Sequence, residues 1–262
     1  MGGWPVMKTP PLAVQVYTIR DFIKTARDFA ASMAKVRAIG YTAVQLDLEH
    51  HPDLPAPEIK RICDDVGLTI CIAHFGYELF QHDLAAIIER QKIWACPNTA
   101  IVAMPGRYHA DGEDGYRRFA SEASRIGETL AASGIVLSYH NHSFEFVRFG
   151  PRTGLEIIFA ESDPRYLKAE IDTYWVQHGG GDPAAWIRRV QDRMPVVHFK
   201  DMAILPDNAQ VFAEVGEGNL HWPAILAACE EAGVDWAVIE QDICRRDPFE
   251  SLRISYENLT EA

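Results

Sequence analysis

Gly134-Ile135-Val136-Leu137-Ser138-Tyr139-His140-Asn141-His142-Ser143-Phe144-Glu145-Phe146 opens as an apolar strand and turns polar within a few residues. The six positions from His140 to Glu145 hold two histidines, an amide and a carboxylate. A strand interior does not select such residues, because each unpaired polar group buried there costs about 1–3 kcal/mol. At a strand's C-terminal end, where the chain opens into a loop, the same residues become donors facing one point. Two readings follow: a polar strand end whose histidines cap carbonyls, or one edge of a ligand cluster.

The flanking chain repeats the same beginning many times. Ala13–Tyr17, Ala43–Asp47, Leu68–Ala73, Thr99–Met104, Leu167–Asp172, Pro195–Lys200 and Trp236–Glu240 read as further short apolar strands. Between them lie helical patterns. Phe22, Ala26, Phe29, Met33 and Val36 recur at spacings of four and three, with Gly40 as the stop. Helices are also expected over Ala56–Val66, Leu84–Trp94, the stretch up to Ala132, from Thr153-Gly154 onward, from Pro183 to Val190, after Trp222, and over Pro248–Asn258. Continuous apolar strands alternating with helices imply a parallel sheet covered on both faces. Eight such units in 262 residues predict one α/β domain over residues 1–262, a closed (β/α)8 TIM barrel. A doubly wound open sheet would carry a glycine-rich turn after its first strand, and Tyr17-Thr18-Ile19-Arg20 has no glycine.

Composition narrows the class. The net charge of -12 argues against a nucleic-acid partner, which needs a basic face. Five cysteines without paired spacing suggest free thiols in a reducing compartment and exclude a Cys-x-x-Cys zinc site. Met1-Gly2-Gly3-Trp4-Pro5 lacks the basic and apolar regions of a secretory signal, and no apolar run approaches a membrane span. A cytoplasmic chain with no membrane partner is the expectation; self-association is left open.

In a barrel the C-terminal strand ends converge on one face, where catalysis sits. The strands deliver Gln15 and Tyr17; Gln45, Asp47 and Glu49; His74; His140, His142 and Glu145; Asp172; His198 and Lys200; and Glu240 and Asp242. Glu145, Asp172, His198 and Glu240 form an oxygen-rich set suited to Mn²⁺, Mg²⁺, Co²⁺ or Zn²⁺. Three carboxylates at one point repel each other, and a divalent ion relieves that conflict. Singly each has a plain structural role: Asp172 as a loop cap, Glu240 as a partner of Lys200, His198 on a backbone carbonyl. His50-His51 and His82 fall in polar loops, where exposed histidine is the default.

Tyr139-His140-Asn141-His142-x-x-Glu145-Phe146, Glu170-Ile171-Asp172-x-Tyr174-Trp175, His198-Phe199-Lys200-Asp201, Val215-Gly216-Glu217-Gly218 and Val238-Ile239-Glu240 together resemble the sugar phosphate isomerase/epimerase family, with its xylose isomerase-like barrel. The resemblance spans nearly the whole chain. It implies a divalent-metal enzyme acting on a small-molecule sugar, with Asp172, His198 and Glu240 carrying over as ligands. Glu145 ranks first for the remaining ligand and His142 second, with His140 as a further candidate. Members of this kind include epimerases, isomerases, inosose dehydratases and lyases of 3-keto-glycosides.

For an isomerase or epimerase the resemblance makes Glu145 and Glu240 an acid/base pair beside the metal, with His142 as a further proton carrier. Lys200, two residues beyond His198 on the same side of its strand, is an electrophilic contact or an ion-pair partner. Gln45, His74, His140 and Trp175 are expected against the substrate. In a dehydration or β-elimination, His142 or His74 would protonate the leaving group. An abasic-site endonuclease would need further metal ligands and a basic groove; a non-catalytic sugar-binding subunit would bind no metal. No phosphate cradle is evident at the seventh and eighth strand ends, which leans toward an unphosphorylated substrate.

Overall fold

A computed structural model describes residues 9–47 and 54–261. Eight parallel strands close into a barrel: Leu12–Gln15, Ala43–Asp47, Thr69–Phe75, Asn98–Ile101, Val136–His140, Leu167–Asp172, Val196–Phe199 and Trp236–Ile239. They are called strands one to eight below. The first and eighth complete the cylinder, with Val14 opposite Ile239. All eight expected strands are present, and the bounds of the sixth agree with the sequence reading.

Strand one ends at Gln15, short of the expected Tyr17, because a 3-10 helix over Val16–Phe22 follows at once. The next helix therefore begins at Ala26, where the Thr25 side chain accepts from the Asp28 N–H. It ends at Gly40, whose φ of 128° few other residues adopt. Two antiparallel pairs were not expected: Arg148–Phe149 with Arg152–Thr153, and Asp201–Ile204 with Gln210–Ala213. Both lie in the loops after strands five and seven. Among the described residues no helix is long and apolar enough to cross a membrane.

Strand alternation divides the side chains into two layers. Outward residues such as Tyr139 pack under the helices; its ring meets Phe119 edge-on at 5.2 Å. Inward residues fill the cylinder. At its floor Ala13, Ala43, Cys71, Ile72, Ala100, Val196 and Val238 form a small buried cluster. Two residues further along the strands, on the same side, the interior changes character. Ala13 is followed by Gln15, Ala43 by Gln45, Ser138 by His140, Val196 by His198 and Val238 by Glu240.

Candidate metal centre

Parallel register carries these inward polar residues to a common height. Asp172 stands beside His198, and His140 beside Glu170. One ligand atom from each of His140, Asp172, His198 and Glu240 lies within 4.8 Å of the others, and all four residues are buried. His198 Nδ1 is 3.0 Å from Glu240 Oε2, and His140 Nε2 is 3.8 Å from Asp172 Oδ2.

Two imidazoles and two carboxylates at one point are a donor set that could hold a divalent cation. Asp172 Oδ1 accepts from the Trp175 N–H at 2.9 Å, whereas its buried Oδ2 makes no well-aligned hydrogen bond and has the Lys200 ammonium 3.0 Å away. The other ring nitrogen of His198, Nε2, faces the Gln45 carbonyl oxygen at 2.6 Å and Glu170 Oε1 at 3.2 Å. Both are acceptors, so Nε2 carries a proton. Its Nδ1 faces the Glu240 carboxylate, which also holds the Lys200 ammonium at 2.8 Å, so an ion bound there would displace the Nδ1 proton.

Burial disfavours the charged ring of His198, but Glu170 and Glu240 outweigh it and lift the pKa to about 10. Burial raises the Asp172 carboxyl to about 6 against the pull of Lys200 and His198. Glu240 resists the same burial and stays well below the usual carboxylate range, held there chiefly by Lys200 and His198. The Lys200 ammonium lies 3.0 Å from Asp172, 2.8 Å from Glu240 and 2.8 Å from Asp242, and these carboxylates keep it charged despite its burial.

Glu145 stands elsewhere. The 3-10 turn Phe144–Phe146 folds its carboxylate back beneath the loop. There it accepts from the Tyr139 hydroxyl at 2.5 Å and the His142 N–H at 2.8 Å. His140, at the strand end itself and also among the candidates for the remaining ligand, is the one that lies with Asp172, His198 and Glu240 in the group that could hold an ion. Gln45, expected on substrate, is fully buried one layer down; its amide is engaged by His198 and Glu170. His74 also reaches Glu170, Nε2 to Oε2 at 2.6 Å, while lining the cleft. The His142 ring stacks on Phe144 and leans on Trp175, and Trp175 lies under the Lys200 ammonium at 5.6 Å. Glu49, His50, His51 and Trp4 fall outside the described residues.

Above the donors opens a cleft of about 190 Å³, lined among others by Tyr17, Asp47, His74, His142, Lys200 and Asp242. That is below the roughly 300–1,000 Å³ of pockets for drug-sized ligands. Its polar walls suit a compact polyhydroxylated molecule. The sequence reading passed over Glu170. The signal was available: Glu170 and Asp172 share one side of strand six, and a carboxylate inside a buried strand implies partners.

The molecule is thus a (β/α)8 barrel with a cluster of nitrogen and oxygen donors at the C-terminal mouth. The family model described as "xylose isomerase-like TIM barrel" matches residues 33–259, and the chain belongs to that family. An inosose dehydratase of Lacticaseibacillus casei is 27% identical over 157 residues, 53% of this chain and 51% of the relative. One from Geobacillus thermodenitrificans is 28% identical over 146 residues, 48% of each chain. The chain thus spans about half the length of the curated relatives it matches. A sugar phosphate isomerase/epimerase of Parabacteroides distasonis superposes with a TM-score of 0.79 at 21% identity, over 97% of this chain and 95% of the other. A structure of L-ribulose 3-epimerase gives 0.70 at 15% identity, over 97% and 95%. At such identities these structures speak for the fold.

Proposed function

We propose that this chain is a divalent-metal-dependent isomerase or epimerase of a small polyhydroxylated ketone, a keto-sugar or a cyclitol ketone. The carrying observation is the convergence of His140, Asp172, His198 and Glu240 from four neighbouring strands, beside a cleft of polyol size. Two imidazoles and two carboxylates form a borderline donor set, better matched to Mn²⁺, Co²⁺ or Zn²⁺ than to Mg²⁺, which prefers all-oxygen sites. When bound, such an ion supplies a Lewis acid for the carbonyl and a neighbouring hydroxyl oxygen.

The protein's own groups supply the proton chemistry. Glu240, ionised beside Lys200, takes the proton from the carbon next to the carbonyl, and the electron pair moves onto the carbonyl oxygen. The Lys200 ammonium stabilises that oxygen's charge. His142 returns a proton to a different face or carbon. Burial first, and Lys200 second, hold its pKa down near 3, so it stands neutral: its own N–H gives the proton as its other nitrogen takes one from solvent water. With Glu145 turned away, the acid/base pair becomes Glu240 and His142.

A second reading is dehydration. It is favoured by the inosose dehydratase names of the curated relatives. It begins with the same proton removal; the electron pair then expels a hydroxyl from the adjacent carbon, which leaves as water with a proton from His142 or His74.

Purified protein is expected to retain about one divalent ion per chain. In D₂O a keto-sugar or cyclitol ketone should gain one deuterium by mass if reprotonation follows, or lose water if elimination does. Asp172→Asn and His198→Ala should each lose the ion and the exchange while keeping the circular dichroism of the parent. Undiminished metal in both variants would remove these residues from the site.

A further inference from the structure

We infer that Phe144 is the positioning residue for His142: the flat face of its ring, held by the turn that carries it, sets where the His142 imidazole stands at the cleft. That placement serves proton transfer only if His142 is the proton carrier proposed above. The contacts themselves do not depend on it.

His142 lines the cleft, but its Nδ1 has no hydrogen-bond partner among the described residues. His74 and His198 differ, since amide or carboxylate groups face both nitrogens of each ring. Around His142 other rings take that part. Phe144 stacks on it with centroids 5.4 Å apart and planes within 8°. Trp175 leans on it at 5.4 Å and 42°, and His140 meets it edge to face at 5.1 Å. Stacked and edge contacts have defined geometry, so flat neighbours can orient a ring without a hydrogen bond.

Of these neighbours only Phe144 belongs to the same turn as His142, and that turn is braced from the outer layer. The hydroxyl of the fully buried Tyr116 donates to the Phe144 carbonyl at 3.3 Å. His109 stands nearly at right angles to the Phe144 ring at 4.8 Å, and its Nδ1 lies 2.9 Å from the same hydroxyl. Glu145, the next residue, accepts the His142 N–H at 2.8 Å. The turn thus grips His142 twice, by its backbone through Glu145 and by its ring through Phe144. Phe144 is itself 39% exposed, so truncating it leaves no cavity in the core. A loss of function on truncation therefore reports on His142 rather than on the fold.

The test uses the full chain. With histidine and tryptophan selectively labelled, cross-relaxation between the His142 ring protons and the Trp175 indole protons reads the placement of His142 without relying on the ring current of Phe144. It should be lost in Phe144→Ala and Phe144→Leu and kept in Phe144→Tyr. In D₂O, with L-ribulose and an inosose as probes, the first two variants should lower kcat about 10–100-fold at little-changed KM. Phe144→Tyr should recover the parental rate, and metal content should match the parent in all three. Intact His142–Trp175 cross-relaxation in Phe144→Ala and Phe144→Leu would overturn the assignment, and so would parental kcat in both. Metal lost together with activity would mark a collapsed mouth and overturn it as well. A parent that exchanges deuterium into neither ketone, while the two variants still lose the cross-relaxation, would support the hold of Phe144 on His142 and end the proton-carrier reading.

Discussion

Glu145 shows how a residue can be legible in chemistry and illegible in direction. Its spacing from His140 and His142 marked it as part of a polar cluster, and it is fully buried there. Which way it faces depends on the 3-10 turn Phe144–Phe146, a loop geometry that no periodicity encodes. Burial drives its carboxyl up to about 8, against the hydrogen bonds from Tyr139 and His142. The sign follows directly. Between the ordinary value of 4.5 and 8 the unfolded chain has released a proton that the folded one keeps, so this group makes stability fall as pH rises through that window. Glu145→Gln should remove that component, on the order of a few kcal/mol. Denaturant midpoints at pH 5 and pH 8 measure it; a parent and variant with identical pH dependence would contradict it. Asp172, His198 and Glu240 were legible because strand ends fix both height and side. Glu170 obeys the same rule one step earlier, inside the strand Leu167–Asp172, where no adjoining loop marks it.

At the scale of elements, Asp201 holds the loop after strand seven. Its carboxylate accepts the backbone N–H groups of Met202, Gly216, Gly218 and Leu220 and the Trp222 indole N–H. Two glycines make this approach feasible. Gly216 has a φ of 91°, and a Cβ on Gly218 would lie 2.2 Å from the Asp201 carboxylate. The Val215-Gly216-Glu217-Gly218 motif and the aspartate of His198-Phe199-Lys200-Asp201 are therefore two halves of one structure, 15 residues apart in sequence. Asp201→Ala strands these donors and should cost at least about 3 kcal/mol in thermal or denaturant unfolding. A loss below about 1 kcal/mol would show that water replaces the carboxylate. The sequence could display both halves but not their meeting, because the antiparallel pair Asp201–Ile204 with Gln210–Ala213 lies between them and carries no strong alternation.

For the whole molecule, the strand–helix count led to the barrel, because each parallel strand must bury both faces and the only uncovered side of a closed cylinder is its mouth. The two short antiparallel pairs and the opening 3-10 helix were beyond that logic: they are excursions of loops, shaped by local hydrogen bonds. The sequence also understated how much of the interior is polar. Gln15, Gln45, His74, His140, Glu170, Asp172, His198 and Lys200 are all nearly inaccessible, yet most are bonded to one another. That layer is a designed interior surface in which each group's partner comes from a different strand.

The apolar residues Ala13, Ala43, Cys71, Ile72, Ala100, Val196 and Val238 plug the lower half of the cylinder. A plugged tube has one door. A chelator that strips the ion must enter by the same passage as the ketone, so the two must queue. Saturating polyol or ketone should slow zinc loss to a chelator such as EDTA several-fold, followed by a colorimetric zinc dye, and an unaltered rate would reveal a back entrance through the floor.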